Sequence, residues 1–183
     1  MTRVFLGGSR KVSRLNESIR ARLGEIVRRK LQIVIGDANG ADRAMQRQLA
    51  EWDYRDVVVY FVGSAPRNNE GGWPMQHVPT PPSVRGFDFY SVKDRAMAEA
   101  AECGLMLWDG VSRGTLANVE TLAGAGKPVA VYVSPRQRFV NVLTPEDVKT
   151  LTGSLASHPE PEAQTAFALP ASPPPAPARR KTA

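Results

Sequence analysis

The chain has 183 residues, 42% of them apolar and 23% charged, which fits one soluble globular domain with a buried core and gives no reason to expect a second. A single cysteine, Cys103, excludes an intramolecular disulfide and a thiolate metal cluster, and two histidines, His77 and His158, give no basis for a His-built metal site. The formal charge of +6 is uneven: residues 1–30 hold nine Lys/Arg against Glu17 and Glu25. A basic first helix could meet nucleic acid or an acidic partner, although a charge-rich outer face is ordinarily just solvated. No signal segment and no bilayer-length apolar run is read, so a cytoplasmic location without membrane contact is the expectation.

Arg3-Val4-Phe5-Leu6 predicts a first buried strand running into Gly7-Gly8-Ser9-Arg10. Glycines there would let backbone approach a ligand, with Ser9 and Arg10 supplying a hydroxyl and a guanidinium fork, or the segment is a plain strand-to-helix turn. Leu15, Ile19, Leu23, Ile26 and Val27 recur at helical spacing over 13–29, with Ser13 placed to cap. Leu31–Ile35 reads as the second strand, followed by the turn Gly36-Asp37-Ala38-Asn39-Gly40-Ala41-Asp42 and a helix carrying Met45, Leu49 and Trp52 inward. Asp37, Asn39 and Asp42 could hold ribose hydroxyls or a base; Asn39 or Asp42 could equally cap the helix.

Residues 56–62 form a β-branched third strand. Residues 63–86 are too rich in Pro and Gly for helix or central strand, and read as a long loop in which Arg67, Trp73 and Arg85 could cover a base or phosphate, Trp73 serving equally well as an apolar anchor. A helix follows over 88–102. Leu105-Met106-Leu107-Trp108 reads as a fourth buried strand ending in Asp109-Gly110, and Ser112-Arg113-Gly114-Thr115 opens another helix. Residues 128–133 give a fifth strand, and Thr144-Pro145-Glu146-Asp147 the start of a short last helix. Trp108 and Cys103 read as core residues. The expected division is a domain over 1–153 and a Pro/Ala-rich disordered tail over 154–183.

Five strands alternating with helices predict an α/β fold: a Rossmann-like, doubly wound, mainly parallel sheet with helices on both faces. Its glycine turns, residues 7–10, 36–42 and 109–115, would meet at the carboxyl edge of the sheet, where such folds bind ligands, and a helix N-terminus there suits an anion. The dinucleotide fingerprint and the Walker loop are both absent.

The motifs GGSR, GDANGADRA, KDRAMAEAAECGLMLWDG and SRGTLANVE, between Arg3 and about Tyr132, resemble the SLOG superfamily, which includes LOG phosphoribohydrolases and DprA-like proteins, and within it the YpsA-related branch. The resemblance implies a pocket for a nucleotide or an NAD- or ADP-ribose-derived ligand, and frequently a homodimer. The LOG pattern itself is incomplete. Arg95, Gly114 and Thr115 match its positions, but its Pro-Gly-Gly is Gly110-Val111-Ser112 here and its glutamate is Asn118. Glu120 lies two positions further on, about 200° away around a helix.

Three functions follow. The first is a sensor or carrier of a nucleotide-type small molecule, with Gly7, Gly8, Ser9, Arg10, Gly114 and Thr115 on phosphate, Asp37, Asn39 or Asp109 on sugar, and Gly40, Asp42, Ser112 and Arg113 completing the ligand shell. The second is hydrolysis of the N-glycosidic bond of a nucleoside 5′-monophosphate, with Arg95 on phosphate and Asp109 or Glu120 as acid. The third is DprA-like binding of nucleic acid through the basic first helix and tail. None of the three calls for a cofactor or a metal.

Overall fold

The computed structural model describes residues 2–153; the tail read over 154–183 lies outside them. Seven strands form one sheet: β1 (Arg3–Gly8), β2 (Gln32–Gly36), β3 (Val57–Phe61), β4 (Met75–His77), β5 (Cys103–Trp108), β6 (Val129–Val133) and β7 (Arg138–Val142). Five α-helices accompany them: α1 (Glu17–Arg28), α2 (Ala41–Glu51), α3 (Gly86–Ala100), α4 (Arg113–Gly124) and α5 (Pro145–Gly153). The sheet order is β4-β3-β2-β1-β5-β6-β7, parallel throughout except for β7, which runs antiparallel to β6.

Apolar residues alternate between the two faces because successive side chains of a strand point opposite ways. Val4, Leu6, Ile33, Ile35, Leu105 and Leu107 join Ile19, Leu23 and Ile26 of α1 and Met45 and Leu49 of α2 in one cluster. Phe5, Val34, Met106 and Trp108 face the other way, against Met97 of α3, Val119 and Leu122 of α4, and Val148 and Leu151 of α5. Every residue of β5 is buried, as a strand covered by helices on both sides must be. Trp108 and Cys103 both belong to this core, and burial pushes the Cys103 thiol up to about 11.

The predicted Rossmann-like α/β architecture stands, but the strand count is corrected from five to seven. β4 is three exposed residues inside the stretch read as loop, and β7 returns on β6 after a 3₁₀ turn at Ser134–Arg136, with Gln137 at φ 49°. The cap of α1 is Asn16, whose side chain accepts from Ile19 N at 3.0 Å, and not Ser13. Gly40 occupies the cap position of α2 without a side-chain bond, so neither Asn39 nor Asp42 caps that helix. Among the described residues, no helix is long and apolar enough to cross a membrane.

From β1 the chain builds outward through β2, β3 and β4, then α3 carries it back to β5 on the other side of β1. The order therefore reverses between β1 and β5, and the carboxyl ends of these two strands flank the crevice in which open α/β sheets bind ligands.

Candidate functional site

A cavity of about 610 Å³ opens at that reversal, bounded by the ends of β1 and β5, the first turns of α2 and α4, and one face of α3. Ser9 binds its two sides together. Its N–H donates to Leu107 O at 2.8 Å, its hydroxyl donates to Asp109 Oδ1 at 3.1 Å, and that hydroxyl lies 3.1 Å from Thr115 Oγ1. Asp109 Oδ1 also accepts from Ser112 N at 2.7 Å and Val111 N at 3.1 Å. Burial raises the Asp109 carboxyl, but these N–H groups and the Ser9 hydroxyl outweigh it and hold Asp109 below its ordinary 3.8. Ser112 caps α4, with Thr115 N at 3.5 Å from its Oγ. The three hydroxyls therefore hold the turn in shape, and the anion-binding capacity of this edge lies in the backbone of the first turn of α4, where helical N–H groups lack intrahelical acceptors.

Arginine–aromatic pairs rim the mouth. The guanidiniums of Arg10 and Arg67 sit 5.4 and 4.8 Å from the Tyr90 ring centroid, and that of Arg113 sits 6.0 Å from Phe87. Phe87, Tyr90 and Val111 are exposed. Arg67 also clasps Asp37 with two side-chain bonds, Nη2 to Oδ1 at 2.7 Å and Nε to Oδ2 at 3.0 Å. Burial would raise Asp37, yet the Arg67 side chain and N–H carry it below 3.8. Asp37 thereby anchors the 63–74 loop, and Trp73 anchors it again by burying its ring and donating Nε1 to Tyr54 O at 2.8 Å.

Deeper in, Asp42 and Lys93 are 5% and 3% exposed, and both face the cavity. Lys93 Nζ donates to Asp94 Oδ1 at 2.6 Å. Burial opposes a charged Lys93, but Asp94 and Asp42 hold its ammonium above the ordinary range. Burial likewise dominates at Asp42 and lifts it to about 7, with Lys93 pulling the other way.

Of the residues singled out from sequence, Gly7, Gly8, Arg10, Asp42, Asp109, Ser112, Arg113, Gly114 and Thr115 line the cavity, and Ser9 is buried in the bond network beside it. Asp37 is committed to Arg67. Asn39 is exposed outside the lining, accepting from Asn68 Nδ2 at 3.0 Å, and Gly40 packs on the Arg10 backbone. Arg95 and Glu120 are exposed and outside the lining. The geometry brings neither to the cavity, because α3 turns Lys93 and Asp94 inward and α4 turns Asn118 inward. Sequence reasoning missed Phe87, Tyr90, Lys93 and Asp94. The signal available was the helical spacing of Phe87, Tyr90, Asp94 and Met97 on one face of α3. Among the described residues, no group of three or more His, Cys, Asp or Glu side chains could hold a metal ion.

No family model and no curated protein matches the chain. Among solved structures, DNA processing protein A from Helicobacter pylori, described for its mode of binding single-stranded DNA, superposes with a TM-score of 0.55 at 14% identity, over 85% of this chain and 80% of that one. The molybdenum cofactor binding protein from the phototrophic bacterium Rippkaea orientalis superposes with a TM-score of 0.53 at 13% identity, over 85% of this chain and 98% of that one. At these identities the likeness is one of fold, and the chain shares the Rossmann-like α/β architecture of both proteins.

Proposed function

We propose that the chain binds a nucleotide or an NAD- or ADP-ribose-derived ligand at the reversal of the sheet, as a sensor or carrier of SLOG type. One observation carries this reading: a single cavity combines the N-terminal turn of α4, the cations Arg10, Lys11 and Arg113, and the exposed rings of Phe87 and Tyr90. Helix amides and guanidiniums suit phosphate, and an aromatic face suits a base. The volume lies within the range of about 300–1,000 Å³ that small-molecule sites occupy. The likeness of the turn sequences to the YpsA-related branch belongs to this same proposal.

Thermal shift with AMP, ADP-ribose, cyclic ADP-ribose and NAD tests it. A ligand at about 100 times its Kd adds about 2.7 kcal/mol of stability. Arg10→Ala is expected to weaken binding by about 10- to 100-fold, the worth of a charge-assisted hydrogen bond, with little change in the melting temperature of the free protein, because the side chain is exposed. Unchanged affinity in the variant removes Arg10 from the phosphate, and no shift with any of the four overturns the reading.

A second reading, single-stranded nucleic acid laid across the mouth, draws on the same Arg–Tyr90 and Arg113–Phe87 pairs, since every base has a face to stack. The fold neighbour described as binding single-stranded DNA adds to it. Salt separates the two: oligonucleotide affinity falls steeply between about 50 and 200 mM salt, and binding within the cavity does so far less.

A further inference from the structure

Burial deepens along the face that α3 turns to the cavity. Phe87 at the mouth is 53% exposed, Tyr90 less so, and Lys93, one turn further in, is closed off from solvent, with Asp94 lining the cavity beside it. Room for the ammonium exists because position 36 is a glycine, where a β-carbon would lie 3.0 Å from Lys93 Nζ. Among the described residues, the one hydrogen-bond partner of Nζ is Asp94 Oδ1 at 2.6 Å, and Asp94 Oδ2 has none. An ammonium carries three N–H groups and each carboxylate oxygen two lone pairs, so the pair keeps bonding capacity unspent after bonding to itself. Buried polar groups left in that condition are costly unless a partner arrives. That partner is not a phosphate, because Asp94 already balances the Lys93 charge, whereas Arg10, Lys11 and Arg113 line the same cavity without a carboxylate bonded to them.

Taken in order, Nζ, Oδ1 and Oδ2 present a donor and then two acceptors. The edge of guanine that faces away from its sugar presents the complement in the same order: the O6 acceptor, the N1–H donor and the N2 amino donor. Adenine would set an amino group against the ammonium and a ring lone pair against the carboxylate. We infer that Lys93 and Asp94 read the base of the ligand, and that the base they fit is guanine. The inference rests on the nucleotide reading above and names its base. Phosphate sits at the first turn of α4, the base passes the rings at the mouth, and its outer edge meets the Lys93–Asp94 pair.

The test is calorimetric titration of the full chain with GMP, IMP, XMP, AMP and ADP-ribose. GMP should bind tightest. IMP, which lacks the amino group that Oδ2 accepts, should bind about 10-fold more weakly, and AMP and XMP, which set like groups against each other, about 100-fold more weakly. In Asp94→Asn the amide oxygen keeps the bond to Lys93, and the amide N–H group then stands where Oδ2 stood. It meets the O2 of xanthine and not the amino group of guanine, so this variant should bind XMP more tightly than GMP. A merely structural role for Asp94 would weaken all the nucleotides alike. AMP or XMP binding wild type as tightly as GMP overturns the inference without recourse to the variant, and leaves the nucleotide reading standing. An unaltered order of preference in a folded Asp94→Asn overturns it as well. Binding of ADP-ribose with none of the four monophosphates overturns the base assignment alone, whereas no binding by any of the five overturns both.

Discussion

Gly40 shows how a residue outside the cavity shapes it. Its φ is +84°, and a β-carbon there would lie 2.2 Å from the carbonyl oxygen of Arg10. The turn after β1 and the start of α2 press together at this point, and Ala41 N donates to Ser9 O at 3.2 Å just beside it. Gly40→Ala must therefore either move Arg10 or abandon the left-handed backbone, and such strain costs about 1–3 kcal/mol. Urea denaturation should show that loss, together with a weaker nucleotide-induced shift because Arg10 moves. A variant as stable as wild type would mean that the two turns are not locked. At this scale the sequence was informative about position and uninformative about partners. Ser9, Ser112 and Thr115 do lie at the cavity edge, but Ser112 and Thr115 pair within one helical turn, and the Ser9 hydroxyl serves Asp109 and Thr115 across about a hundred positions of chain, which no local pattern encodes. Lys93 reads as one more charged residue on a helix, and its burial exists only once α3 is laid over the end of β2.

Among the elements, α1 offers the cleanest measurement. Asn16 accepts from Ile19 N and also donates from Nδ2 to the Tyr132 hydroxyl, tying the helix start to β6. Asn16→Ala should cost about 1 kcal/mol, within the range of about 0.5–2 kcal/mol known for lost caps, and Asn16→Ser should recover part of it. No change in unfolding free energy would show that the cap is dispensable. Sequence reading placed a cap at Ser13 because the apolar period extends back to Leu15, whereas the chain stays non-helical until Asn16 can reach back to the first turn. β1, β2, β3, β5 and β6 were legible because buried parallel strands are nearly continuous apolar runs. β4 and β7 were not, because edge strands need only one apolar face or none. β4 is exposed at all three residues, and β7 is only half-buried through Arg138, Phe139, Val140 and Asn141, with polar residues at both ends of that run.

For the whole molecule, carboxyl groups of the candidate site contribute in opposite senses to how stability responds to pH. Asp42 has an ordinary value of 3.8 and one of about 7 in the fold. Between those two values the unfolded chain has lost this proton and the native protein keeps it, so the native state binds more protons and Asp42 makes stability fall as pH rises through the window. Asp37 and Asp109 act in the opposite sense: their folded values lie below 3.8, so their contribution is fully present above 3.8 and is lost as pH falls from there through the lowered folded values. Removing the Asp42 carboxyl should therefore change the shape of the stability curve as well as its height. Compared with wild type, Asp42→Asn should gain progressively from about pH 4 to about pH 7 and hold a constant difference above that, since an amide has no proton to lose on either side of the unfolding equilibrium. Denaturant midpoints of the two proteins across this range are the check. A difference independent of pH would mean that Asp42 ionises normally in its cavity. A difference that grows as expected would mean that the fold sustains a buried carboxyl group which weakens it near neutral pH, and a cost retained deep in a ligand crevice is more readily explained by what the site does than by what holds the sheet together.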